Sequence, residues 1–328
     1  MLRTVTIVAL LSSAICIPTS LAQLGPEAPM LPKTTLAPFG IDIPEAATTS
    51  AVSANPAGIV GLSAYGIERG TELDLGWTNF KQGPSVFSDI EIAIGQIGDG
   101  WWRFSRYGFN STAAPLPLVL PEGATARFSG EAYLVGYGRQ DGDLRWGVSY
   151  LPYDSTTLTV FTDSPQGQVR MAKGRGYAGF AGRTGGQWLI NEQLTLGSYY
   201  MYERDRTSLE TIDGQTLRGG YDSEALTTGL AWQPAMGTML FASYQTGSIR
   251  GPNVDETIGL WCYGAEQFLS EHWSLRATNI DEAWGLTATY YNGPAFNAGI
   301  SWQPDGFRRT AEYLGNGDSL WLWAGIGW

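Results

Sequence analysis

Ser319-Leu320-Trp321-Leu322-Trp323-Ala324-Gly325-Ile326-Gly327-Trp328 ends the sequence on a two-residue alternation. Successive side chains of an extended chain point to opposite faces, so Leu320, Leu322, Ala324, Ile326 and Trp328 share one wholly apolar side. The other side carries Ser319, Trp321, Trp323, Gly325 and Gly327, which are small or amphipathic. An exposed apolar strand is a template for aggregation, so a chain with this ending must pair or bury it. A sandwich core and a closed sheet in a membrane are the two ways to do so.

Composition and targeting narrow that choice. Residues 1–22 read as a secretory signal: Arg3, the apolar run from Val5 to Ile17, then Ser20-Leu21-Ala22 as a cleavage site. Ile15 stands where a lipoprotein would have a small residue before Cys16. Removing the signal takes away only the charge of Arg3, leaving 19 basic against 31 acidic residues and shifting the net charge from −11 to −12. So acidic a chain argues against nucleic acid as a partner, since phosphate binding needs clustered Lys and Arg. Only Cys262 remains after the signal, which rules out an intramolecular disulfide framework, and the single His272 rules out multi-histidine metal sites. No later stretch is apolar over the roughly 18 residues that a membrane-spanning helix needs. A β-barrel needs only about 9–11 alternating residues per strand. The 43 glycines suit a crowded lumen wall, and 13 Trp and 16 Tyr suit two interfacial belts.

With these bounds in place, the last strand resembles the closing strand of bacterial outer-membrane barrels, whose terminal aromatic residue is read by the assembly machinery. The resemblance makes Leu322, Ile326 and Trp328 the candidate assembly signal, with that machinery as a partner.

Residues 23–50 are rich in Pro, Ala and Thr and lack periodicity, so they read as an extended, irregular segment. A run of small residues then leads into Asn55-Pro56-Ala57-Gly58, a turn signal. That motif, lying between a signal peptide and a first strand, resembles the N-terminal hatch of the long-chain fatty-acid transporter (FadL) family and its aromatic-hydrocarbon relatives. The resemblance implies a plug formed by residues 23–70, with Asn55 and Pro56 fixing its turn, ahead of a barrel over residues 71–328.

The first strand is expected over 71–81 and the second over 86–97, with Ile90, Ile92 and Ile94 outward and Asp89 and Glu91 inward. Further strands are expected at 101–109, 125–139, 144–153, 173–183, 194–204, 222–232, 238–249, 256–267, 271–279, 284–291 and 295–302, before the closing one. The fold class is therefore all-β, a transmembrane antiparallel barrel of about 14 strands. Short connections, such as Gln140–Asp143 with its Asp-Gly turn, fall at the periplasmic end. The longer segments Asn110–Ala124, Asp154–Ala172, Asp205–Tyr221, Gly251–Asp255 and Gln303–Asp318 are expected to be external loops.

Three groups of residues could carry function. Glu72, Asp74, Asp89 and Glu91 would form an acidic stripe in the lumen, either favouring cations or simply pairing with Arg103 and Arg127. Leu116, Leu118, Val119 and Leu120 lie in an apolar, proline-broken external loop. By resemblance they would form a greasy substrate-capture surface, or else they fold in to plug the mouth. The family's main capture loop lies elsewhere in the strand order, and its counterpart here, Asp154–Ala172, reads as short and polar. The third group, His272-Trp273-Ser274, has the His-x-Ser spacing of outer-membrane lipid hydrolases, but Leu275 stands where those families have Asn.

The resemblance implies an outer-membrane channel for passive uptake of hydrophobic small molecules, long-chain fatty acids or aromatic hydrocarbons, and not an enzyme. Its partners would be outer-membrane lipid and the substrate. No cofactor is implied, because apolar partitioning away from water would drive uptake. The alternatives are a general diffusion porin or structural barrel and a lipid hydrolase, with an adhesin or soluble sandwich behind them.

Overall fold

A computed structural model describes residues 45–48, 55–62, 66–74, 85–111, 124–153, 157–164, 167–175, 178–251, 254–280, 283–292, 296–303 and 319–327. A short helix, α1 (Gly58–Leu62), is followed by β1 (Gly66–Asp74), β2 (Ser85–Ile97), β3 (Gly100–Ser111) and β4 (Ala124–Asp141). Then come β5 (Leu144–Tyr153), β6 (Thr157–Ser164), β7 (Gly167–Arg175) and β8 (Gly179–Leu189). The long strands β9 (Leu194–Thr211) and β10 (Thr216–Ala235) follow, then β11 (Thr238–Gly251) and β12 (Val254–Phe268). The last four are β13 (Trp273–Ile280), β14 (Ala283–Asn292), β15 (Phe296–Gln303) and β16 (Ser319–Gly327).

These 16 strands form one antiparallel sheet. Tyr153 of β5 pairs with Gly179 of β8, and Thr157 of β6 pairs with Arg175 of β7, four residues on along each chain. β5 and β6 are therefore one strand path, and β7 and β8 its return, which leaves fourteen paths. β9 pairs with β10, and β16 pairs with β1 from Gly66↔Gly327 to Asp74↔Ser319, so the pairings run in a cycle. The row of unpaired groups that the terminal strand would expose is thereby satisfied by β1.

The pleat sorts residues by polarity in the reverse of the soluble order. Along β10 the exposed positions include Leu226, Leu230 and Trp232 together with Glu224 and Thr228, while Thr227 is fully buried. Trp261, Leu286, Ile300, Leu322 and Ile326 are exposed too, and Ser243, Gln245, Thr278, Thr287 and Thr289 are buried. A sandwich puts apolar residues inside and cannot produce this arrangement; an apolar outer face suits a lipid solvent.

Several expectations are corrected. Two of the segments read as external loops, Asp154–Ala172 and Asp205–Tyr221, contain the outer parts of four strands, and the second hairpin turns only at 212–215. Thr, Ser, Asp and Gly are frequent in both stretches, which hides the strands in the sequence while the ladder continues through them. β1 begins at Gly66, which places residues 66–70 in the sheet and not in the N-terminal segment. Ile92 and Ile94 of β2, expected to point outward, are buried on the inner face beside Ser105 and Arg103. α1 packs against the inner face of the neighbouring strands β3, β4 and β5, and both isoleucines are at most 5% exposed, as apolar side chains removed from water are. Thr71 pairs with Asp89 and Glu72 with Ser88, so positions 72 and 89 fall on opposite faces of the pleat. The four acidic positions therefore do not make one stripe, and their side chains lie outside the described residues.

In β16 the alternation is as expected. Leu322 and Ile326 face outward, whereas Trp323 is only 5% exposed and its indole fills the space where Gly299 lacks a side chain. Trp328 lies outside the described residues.

Candidate functional site

Asn55-Pro56-Ala57-Gly58 is buried against the inner face of the sheet. The Asn55 carboxamide oxygen accepts the Ala57 amide at 3.1 Å, and the Asn55 carbonyl accepts the Gly58 amide at 3.0 Å, which starts α1. Pro56 has no amide hydrogen to satisfy, which suits the first turn of a helix. Nδ2 of Asn55 donates to the Ala46 carbonyl at 2.6 Å, to Gly186 of β8 at 3.2 Å and, at the limit of a hydrogen bond, to Ser198 of β9 at 3.5 Å. One side chain thus joins the N-terminal segment to two strands of the wall.

The wall is shaped for that segment by glycines. A Cβ on Gly147 of β5 would lie 2.6 Å from the Pro56 carbonyl. One on Gly185 of β8 would strike the Asn55 carboxamide, and one on Gly197 of β9 the Ala46 carbonyl. On β4, Gly136 and Gly138 leave 3.0 Å for the ends of Ile59 and Val60. The missing side chains let main chain lie directly on main chain, the close approach that only glycine permits.

Residues 45–48 are fixed to the strands on the other side. Gln187 of β8, fully buried, donates to the carbonyls of Ala46 (3.2 Å) and Thr48 (3.1 Å), and the Ala46 amide donates to Ser243 Oγ of β11 at 3.2 Å. Glu45, 3% exposed, forms an ion pair with Arg276 of β13 and accepts the Thr48 hydroxyl at 2.6 Å. Arg276 also reaches Glu266 of β12 at 3.6 Å and lies 4.3 Å from the centroid of the Phe241 ring. Ser274 donates to Glu266 at 3.0 Å. Buried charges persist when paired and hydrogen-bonded in this way.

Beside this docked segment the wall is discontinuous. β4 pairs with β5 from Asp141↔Leu144 to Val135↔Tyr150, and with β6 from Ser129↔Thr157 to Ala124↔Thr162. Among the described residues, Ala132, Tyr133 and Leu134 of β4 have no ladder partner in Leu151, Pro152 and Tyr153 of β5, which stay paired with β8. Pro152 carries no amide hydrogen, so it weakens a ladder at its own position. At the same level on the return path, Arg175 pairs with Ser208 and Ala178 exchanges both backbone hydrogen bonds with Arg206. The inner side of the break is apolar: Tyr107, Ala132, Leu134 and Leu151 are all at most 4% exposed.

The other candidates fare differently. The loop residues Leu116, Leu118, Val119 and Leu120 lie outside the described residues. Arg103 is buried on the inner face, donating to Ser105 Oγ at 2.7 Å and Tyr107 OH at 2.9 Å. His272 is in the turn before β13, with Nδ1 against the Tyr291 carbonyl at 2.9 Å, while Ser274 is engaged by Glu266 and Tyr291. The base and the hydroxyl are thus held by different partners, and the His-x-Ser spacing does not form a nucleophile–base pair. Sequence reasoning passed over Glu45, Gln187, Arg276 and the glycine cradle. Pro152 was legible as an in-strand proline.

No protein-family profile matches the chain, and no curated relative matches it. Solved structures do. The toluene transporter TodX of Pseudomonas putida matches with a TM-score of 0.54 at 13% identity, over 86% of this chain and 95% of that one. A Pseudomonas aeruginosa FadL homologue matches with a TM-score of 0.53 at 10% identity, over 85% and 94%. The fold is that of FadL-like channels. The monoaromatic hydrocarbon channel CymD matches as well, with a TM-score of 0.51 at 11% identity, over 85% and 91%. The FadL-like fold is thus preserved at an identity that by itself carries no information on substrate.

Proposed function

We propose that the chain is an outer-membrane barrel, plugged by its N-terminal segment, that passes hydrophobic small molecules by passive diffusion. The observation that carries this reading is the docked Asn55–Gly58 turn beside an apolar break in the wall between β4 and β5. A plug closes the straight aqueous path and leaves a sideways one. An apolar solute entering from outside would meet Tyr107, Ala132, Leu134 and Leu151 and leave through the break into lipid, driven by removal of its surface from water. The FadL-like neighbours include a toluene transporter and a monoaromatic hydrocarbon channel, so the fold is one that can pass solutes of this class. Capture by Leu116, Leu118, Val119 and Leu120 and targeting by Leu322, Ile326 and Trp328 belong to the same proposal.

A general diffusion pore is the second reading, favoured by the polar inner face at Thr227, Thr287 and Thr289. Deleting residues 23–58 separates the two. A plugged barrel gains ion conductance in planar bilayers on deletion, whereas a pore that is already open shows the same conductance before and after.

A further inference from the structure

The chain as a whole has 20 basic and 31 acidic residues, yet one part of the outer face reverses that balance. On β7, β9, β10 and β11, Lys173, Arg175, Arg204, Arg206, Arg218 and Arg250 are all exposed. Their acidic neighbours on that face are Glu210, Asp222, Glu224 and Asp255. The centre of the group is tightly organised. Arg204 Nε lies 3.0 Å from Asp222 Oδ1, Arg206 Nη2 lies 3.0 Å from both Asp222 oxygens, and Arg250 is level with Asp222 on the next strand. Two guanidinium groups thus engage one carboxylate, and the third, Arg250, forms an ion pair of 3.9 Å with Glu224 two positions along β10.

Height matters as much as charge. Arg204 and Arg206 come ten and twelve residues after Leu194, and Arg250 comes twelve after Thr238. A barrel strand crosses the hydrocarbon in about 9–11 residues, so these side chains emerge where the apolar layer ends on the side away from the short turns. Below them on the same strands the outer face is apolar, with Tyr200, Leu226 and Leu230 exposed.

Resting on the outer-membrane reading above, we propose that this surface binds a phosphorylated glycolipid of the outer leaflet. The phosphate would be held by Arg204, Arg206 and Arg250, and the acyl chains would lie along Leu226 and Leu230. Guanidinium groups match phosphate oxygens in pairs, and the phosphate would displace the Asp222 carboxylate that now occupies Arg204 and Arg206. A lipid with a single charge and two chains would meet the same apolar strip with fewer phosphate contacts.

The test is native mass spectrometry of the detergent-solubilised full chain with bisphosphorylated lipid A, its phosphate-free analogue and phosphatidylglycerol. Lipid A should be retained in preference to both others. Replacing Arg204, Arg206 and Arg250 together by Gln should weaken retention at least tenfold, and Asp222→Asn should leave it equal or stronger. Equal retention of all three lipids, unchanged binding by the triple variant, or loss of binding in Asp222→Asn would each overturn the proposal. Outer-membrane fractionation and the heat-dependent gel shift of the same samples report on the underlying reading. A barrel that inserts normally and ignores lipid A refutes the glycolipid site alone.

Discussion

Asn55 makes more cross-connections than any other residue in the motif, reaching Ala46, Gly186, Ser198 and its own turn. Asn55→Ala would remove one donor from each of these carbonyls, Ala46 keeping that of Gln187, and leave the Ala57 amide without its acceptor, at a cost of about 1–3 kcal/mol for an unsatisfied buried group. The expected outcome is a lower temperature for the heat-dependent gel shift together with higher conductance from a loosened plug. Glu45 and Arg276 behave as a unit. Removing one partner of a buried pair costs about 3–5 kcal/mol, because the other charge is left uncompensated. Glu45→Gln and Arg276→Met should therefore each destabilise more than half as much as the double variant, which a double-mutant cycle on the gel-shift midpoint would detect. Glu266 shares the same guanidinium, so some stabilisation should survive in Glu45→Gln.

At the scale of elements, fourteen strand paths, the short turns at one end and the outward face of β16 were all readable from alternation and turn residues. What alternation could not give was everything that depends on residues 45–48 and 55–62 being docked on the inner face. Alternation with Asp89 and Glu91 points Ile92 and Ile94 to lipid, whereas both are buried on the inner face, on the strand next to those that the docked helix packs against. Asp154–Ala172 reads as a loop because Thr, Ser and Asp are frequent in it, yet Leu158 and Val160 alternate with Thr157 and Thr159 and backbone pairing with β4 and β9 runs through it. Pro152 was visible, but its meaning depends on which neighbour it fails to pair with. The cradle makes a sharper prediction than the break. Gly147→Val places carbon against the Pro56 main chain, already 2.6 Å from a mere Cβ, so the N-terminal segment must move. Conductance should rise towards that of the deletion, whereas Gly142→Val in an open turn should affect folding and leave the plug in place. On the outer face, Leu230→Arg should cost about 2–4 kcal/mol if it lies near the bilayer midplane, far more than surface substitutions in water.

Across the whole molecule, one arrangement links plug and wall. The N-terminal segment occupies the inner face at β8, β9, β11 and β13, while α1 lies beside the strands where β4 and β5 part. A straight channel has no use for that break, and a sealed structural barrel has no use for an apolar patch beside it. The central claim is therefore that solute leaves sideways between β4 and β5. It is tested most directly by accumulation of labelled toluene in cells carrying the protein, a paired-cysteine variant at Leu134 and Leu151, or neither. The account predicts faster accumulation with the protein, a fall to background when the two cysteines are oxidised into a cross-link, and recovery on reduction. Accumulation that is unchanged by the oxidised cross-link would contradict it.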